Sequence, residues 1–125
     1  MNKNLINHEI QAAYDALRES KIVDENDGSI KKTYRGQISS FGAAITMGSL
    51  ISSVAFFSAD GGSEVERSKL MKAILLVLKK ERGVSENKLF DYVVNHKTEQ
   101  DKCKEEILNA AIALKLAMNL YKLKQ

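Results

Sequence analysis

Two histidines, one cysteine and nineteen lysines and arginines are the groups in this 125-residue chain that are best suited to catalysis or to binding anions. Catalysis needs such groups to converge. His8 and His96 fall on different predicted elements, and neither sits in a recognisable carboxylate or nucleophile motif. A histidine at a helix end more often serves as a surface or capping group. Cys103 stands between Lys102 and Lys104, a setting that can lower a thiol pKa. No motif places a histidine beside it, so packing or plain exposure is the expected fate. A single cysteine excludes an internal disulfide and a cysteine-cluster metal site and agrees with a reducing cytoplasm. The carboxylates are scattered, and none forms the Glu/His set of a di-metal helical bundle. Gly61-Gly62-Ser63-Glu64 lacks the Gly-Lys-Ser/Thr ending of a phosphate loop. The methionines fall at core positions. No catalytic residue, metal or cofactor is expected.

The basic residues are better organised. Lys69, Lys72, Lys79 and Lys80 project within roughly 100° of arc on one predicted helix, opposite its apolar side. Lys31, Lys32 and Arg35 crowd the first turns of another helix. Cations there oppose the helix dipole, at a few tenths to about 1 kcal/mol each. Either they serve an anionic partner, or they are solvated or pair with the acidic linker before them. The lysine stripe likewise either meets an anion or is a solvated outer face. Lys115, Asn119 and Lys122 line a polar edge of the last helix. The net charge of +3 and a pI near 8.9 permit nucleic-acid contact without requiring it.

These groups must be positioned by helices. Tyr34 to Phe57, YRGQISSFGAAITMGSLISSVAFF, lies in a run with no charge between Arg35 and Asp60. Ile38, Phe41 and Ile45 recur at helical spacing on one face, and Met47, Leu50, Val54 and Phe57 on another. Ser40, Ala44, Gly48 and Ser52 form a ridge of small side chains. Such a stretch is expected to hide from water as the central helix of a bundle. A membrane span wants about 20 mostly apolar residues; Ser, Thr, Gln and Gly interrupt this one too often. The N-terminus has no secretory signal pattern.

Around this segment the periodicity predicts a single all-α domain over 1–125, a compact bundle of about five helices around the central uncharged one. Helix one covers about Asn4 to Ser20, with Asn4 or Asn7 as cap. A loop follows at Asp24–Ser29. Helix two opens near Ser29 or Ile30 and ends at Ala59-Asp60-Gly61-Gly62. Ser63 and Glu66 make a capping box that starts helix three, which Gly83 stops after Arg82. Ser85 caps a short helix four that ends at Asn95-His96-Lys97. Thr98 and Asp101 open helix five, which runs nearly to the C-terminus with two apolar rows. No strand pattern is present. No proline interrupts the chain, and 44% of it is hydrophobic, enough for a core.

The central stretch resembles the signature of the small helical subunit of the type III-B CRISPR effector, the Cmr complex. Tyr34 and Arg35 match an aromatic-basic lead. Phe41, Ala43 and Ile45 match its apolar positions, Leu50 its leucine, and Val54-Ala55-Phe56 its end. Gly42 stands in place of the family proline, Gly48-Ser49 in place of Asn-Gly, and Ser52 where Gln is common. Ser39 and Ser40 lie near a frequent lysine position. The resemblance implies a cytoplasmic, non-catalytic all-α subunit in antiviral defence. Copies of it stack with one another and with other Cmr subunits along CRISPR RNA and target RNA, with no membrane involved. The phosphate contacts would then be Lys31, Lys32, Arg35, Lys69, Lys72, Lys79 and Lys80, with Lys115 and Lys122 behind them. Such binding releases counterions and is sequence-independent. With aromatic residues at 6%, base stacking has little material. The rival readings are the type III-A small subunit, a helical protein–protein adaptor without RNA, and a small enzyme using Cys103 or His96.

Overall fold

The computed structural model describes residues 2–61 and 65–125. Asn2 opens helix α1 (Lys3–Glu19): its side chain accepts from the backbone N–H of Leu5 at 3.2 Å. The cap is thus two residues ahead of the nearer expected one, because the helix begins earlier. Ile6, Ala12, Ala13, Ala16 and Leu17 form the buried stripe. The chain then leaves the helix through Lys21, whose φ is +69°, and returns Ile22 and Val23 to the core.

Strand β1 (Ser29–Lys31) follows and pairs in parallel with β2 (Lys122–Lys124), Ile30 opposite Leu123. This small sheet corrects the expectation of no strand. Three residues are too few to show alternation, and the partners lie at opposite ends of the chain. The all-α class stands, with six helices among the described residues.

The uncharged stretch is two helices, not one: α2 (Lys32–Met47) and α3 (Leu50–Ser58). Gly48 is extended at the break, where a Cβ would lie 3.1 Å from the Ala44 carbonyl oxygen. Ser49 restarts the helix by accepting from the Ser52 N–H at 3.3 Å. The stretch does not hide from water as a whole either. Tyr34, Ile38, Phe41 and Ile45 are buried along α2, but Gly36, Ser39, Ser40, Ala43, Thr46 and Met47 form an exposed outer face. Met47, expected in the core, is 87% exposed. The hydroxyls of Ser39, Ser40 and Thr46 donate back to the carbonyls of Arg35, Gly36 and Gly42. That local bonding satisfies them without any partner. The face is uncharged because it is small and self-satisfied, and the small-residue ridge looks outward.

Helix α4 (Ser68–Arg82) has the expected core side, with Leu70, Met71, Ile74, Leu75, Val77 and Leu78 buried, and Gly83 ends it at φ +66°. It starts at Ser68, where Asp60 accepts from both the backbone N–H and the hydroxyl of Ser68 at 3.0 and 2.9 Å. The expected start at Ser63 lies outside the described residues. Helix α5 (Leu89–Asn95) begins beyond Ser85, after an extended Lys88. Phe90 and Val94, expected in its core side, are half-buried, and Tyr92 is buried instead. A 3₁₀ turn, Lys97–Glu99, precedes helix α6 (Gln100–Met118).

Helix α6 packs on α1, α2 and α4 and buries ten residues, among them Ile107, Leu114 and Met118. It occupies the centre that the uncharged segment was expected to hold. Its second apolar row is only half-covered, since Leu116 is 43% exposed. Inside the bundle, Glu9 is 1% exposed and its carboxylate faces Arg82 at 3.6 Å. Arg82 also approaches Glu106 at 3.7 Å, and the Tyr92 hydroxyl donates to Glu106 at 2.7 Å. Burial pushes the Glu9 carboxyl above the usual carboxylate range despite Arg82.

Candidate functional site

The start of α2, the end of α6 and strand β2 meet in one place. β1 delivers the chain into α2, and its pairing with β2 brings Leu123 back beside the first turn of that helix. Lys32, Arg35 and Lys115 line the resulting groove of about 350 Å³, with Gly36, Ser39 and Leu123. None of the three cations makes an ion pair among the described residues. The Nε of Arg35 is buried and has no hydrogen-bond partner. A buried donor without an acceptor costs about 1–3 kcal/mol. Gly36 and Ser39, the small residues of the lining, leave the groove shallow.

Lys31 points to a different setting. It lines a cavity of about 480 Å³ with Lys21, Lys69, Lys124 and Tyr34. There the other lysines are already engaged. Lys21 pairs with Glu25, Lys69 with Glu66 at 2.9 Å, and Lys124 with Asp24 and Asp27 at 2.6 and 3.2 Å. The Ser29 hydroxyl and N–H, then Lys124, bring Asp27 down to about 2. The acidic linker thus pairs with Lys124 at the far end of the chain, and not with Lys31, Lys32 or Arg35.

The α4 stripe divides. Lys80 reaches Glu19 at 3.0 Å and Asp15 at 3.7 Å, both on α1. The Glu66 and Glu19 carboxylates raise the ammonium pKa of Lys69 and Lys80 respectively. Lys72 is exposed and Lys79 half-buried, and neither makes an ion pair among the described residues. Of the seven expected contacts, Lys32 and Arg35 share one groove, Lys31 and Lys69 line a second cavity, and Lys72 lies on a third. Lys115, ranked behind the seven, completes the groove. Its sequence signal was a polar edge expected to include Lys122, but the last helix ends at Met118 and Lys122 lies on β2 instead.

The reactive groups stay dispersed. Cys103 is packed in the core at 2% exposure, one of its two expected fates, and that burial pushes its thiol up against a smaller lowering by Lys102. His8 is 74% exposed and pairs with Glu81 at 3.2 Å. His96 Nδ1 lies 2.8 Å from the Tyr92 carbonyl. Among the described residues no group of three His, Cys, Asp or Glu could hold a metal, and no helix is long and apolar enough to cross a membrane.

No curated protein and no solved structure matches the chain. A family model, CRISPR-associated protein (Cas_Cmr5), matches residues 7–118, from the second turn of α1 through the last residue of α6. With nearly the whole chain covered, it belongs to the Cas_Cmr5 family and is a small subunit of the type III-B CRISPR (Cmr) complex.

Proposed function

We propose that the chain is a non-catalytic subunit that holds the backbone of guide or target RNA in a cytoplasmic antiviral effector. Its contact is the Lys32–Arg35–Lys115 groove. The observation that carries this reading is the convergence of three cations from two helices with, among the described residues, no carboxylate partner and one guanidinium nitrogen without an acceptor. Lysine and arginine side chains that neutralise phosphates release counterions, so such binding is salt-dependent and indifferent to sequence. Stacking on copies of itself belongs to the same reading. The small outer face of α2 supports it, because glycine, serine and alanine let a neighbouring helix approach closely.

The test is a Lys32→Glu/Arg35→Glu/Lys115→Glu variant in the reconstituted complex. RNA affinity is measured across a salt series, and circular dichroism checks the fold. The slope of log affinity against log salt should fall by about 3, one for each lost phosphate contact. An unchanged slope and affinity in a folded variant would remove the groove from the RNA path.

A further inference from the structure

A second concavity lies on the far side of α4, where α3 ends and the chain enters α5. We infer that it is a docking groove for a partner protein subunit, taking an apolar side chain flanked by carboxylates. The inference deepens the assembly role proposed above and rests on it.

The groove is about 390 Å³, and its lining is mostly apolar. Met71 and Leu75, one turn apart on α4, and Leu89 and Phe90 at the start of α5 form its floor. Ser68, Met71, Lys72 and Leu75 are spaced i, i+3, i+4, i+7, so a single face of α4 supplies one wall. Lys72 and Lys88 stand on the rim, both exposed and both outside any ion pair among the described residues. Among the described residues no carboxylate lines it, although Glu86 and Asp91 neighbour its lining residues in sequence; Glu86 accepts from Asn95 at 3.2 Å, and Asp60 accepts from the N–H and hydroxyl of Ser68.

This chemistry differs from that of the α2–α6 groove. There, three cations from two helices stand among glycine, serine and one leucine. Here, two cations flank the half-buried Phe90, which would gain by losing water, over Met71, Leu75 and Leu89, which the fold has already buried. RNA backbone gains nothing from the apolar floor. A peptide whose leucine- or phenylalanine-sized side chain enters the groove, with acidic neighbours reaching Lys72 and Lys88, uses both features. Amphipathic segments dock in apolar grooves this way, and complementary charge at the rim fixes orientation and rejects basic competitors. Lys72 would therefore serve a protein contact, separate from the phosphate contacts.

Ser58, exposed on the groove wall, allows a direct test. A Ser58→Cys variant carrying a benzophenone label is assembled into the reconstituted complex and irradiated; buried Cys103 stays unlabelled. The expected product is a crosslink to a protein subunit, at a segment with Asp or Glu next to an apolar residue. A Lys72→Glu/Lys88→Glu variant, folded by circular dichroism, should lose at least tenfold of that crosslink. The Lys32→Glu/Arg35→Glu/Lys115→Glu variant should keep it while losing RNA affinity. A crosslink to RNA, no crosslink at all, or a yield indifferent to the Lys72 and Lys88 charges would overturn the inference. The α2–α6 groove would still be judged on its own RNA measurement.

Discussion

Two lysine-rich faces of this protein have opposite electrostatic fates. On α4, Lys69 and Lys80 are tied to Glu66 and to Glu19 with Asp15. On the α2–α6 face, Lys32, Arg35 and Lys115 have no carboxylate within reach among the described residues, and the Arg35 Nε is unmatched. The α4 stripe has the more regular spacing, yet its charge is partly cancelled. The other face looks weaker in sequence, with two cations in one helix and a third eighty residues later. A basic stripe is therefore a statement about one helix, whereas a basic site depends on which acids its neighbours bring. Some of those acids are local, as Glu66 is three residues from Lys69, and others are far away, as Glu19 is 61 residues from Lys80.

The comparison can be broken most severely by removing the support under one face. Phe41 is fully buried on α2 and meets Phe57 of α3 edge-on, with ring centroids 5.2 Å apart. Phe41→Ala should cost about 3–5 kcal/mol of folding stability, measured by urea unfolding. An effect below about 1 kcal/mol would mean that α2 is not anchored through this ring.

Charge reversal at the groove comes next, with the loss of about 3 in salt slope given above. The paired stripe should respond much less. Lys69→Ala/Lys80→Ala is expected to change the slope by less than about 1, one contact's worth. Equal slope changes for the two variants would erase the distinction between the faces.

A pH experiment sharpens the contrast between buried and exposed acids. Glu9 is held above the ordinary carboxyl pKa of 4.5, chiefly by burial, with Arg82 and His8 opposing the rise and Glu81 and Glu106 adding to it. A raised folded-state pKa means that the native protein binds a proton that the unfolded chain has released. The stabilising contribution is complete below pH 4.5 and is lost as pH rises through the folded value. Glu9→Gln should therefore flatten the decline in Tm over that window. Asp27 has the opposite sign. Lowered from 3.8 to about 2, it supports the fold above pH 3.8 and loses that support as pH falls toward 2. An Asp27→Asn variant should lose the acid limb of the Tm profile between those values, whereas Glu9→Gln should leave that limb in place.

The smallest effect belongs to the surface pairs themselves. Lys80→Ala should cost only about 0.2–1 kcal/mol, as exposed ion pairs usually do. A larger loss would show that the Lys80 link to α1 is part of the framework.

Much of the fold was legible in the residues. The buried faces of α1, α4 and α6 follow from apolar spacing, and Gly83 ends α4 as its position suggested. What was misjudged has a common cause. The Gly48-Ser49 break carries a local signal, a glycine followed by a capping serine, but the uncharged run across it masks the break. Exposure of Gly36, Ser39 and Ala43 was hidden because small residues look the same in a core and on a smooth surface, and exposure of Met47 because a large apolar side chain reads as core. The β1–β2 pair was illegible because its two three-residue strands make sense only against each other. At the candidate site, Lys32 and Arg35 could be nominated from their place at a helix start, but Lys115 could not be ranked without β2 and α6 beside them.

By itself, the order of residues determined that this chain would be helical, which side of most helices would shun water, and where the cations would cluster along each helix. Those properties depend on neighbours three or four residues apart, so local spacing suffices. Only the tertiary structure decided that α6 would take the centre, that Lys80 would spend its charge on α1, and that the Arg35 Nε would have no acceptor among the described residues. Each of these depends on pairs brought together across the chain, and side-chain attraction acts over a few ångströms in space regardless of distance in sequence.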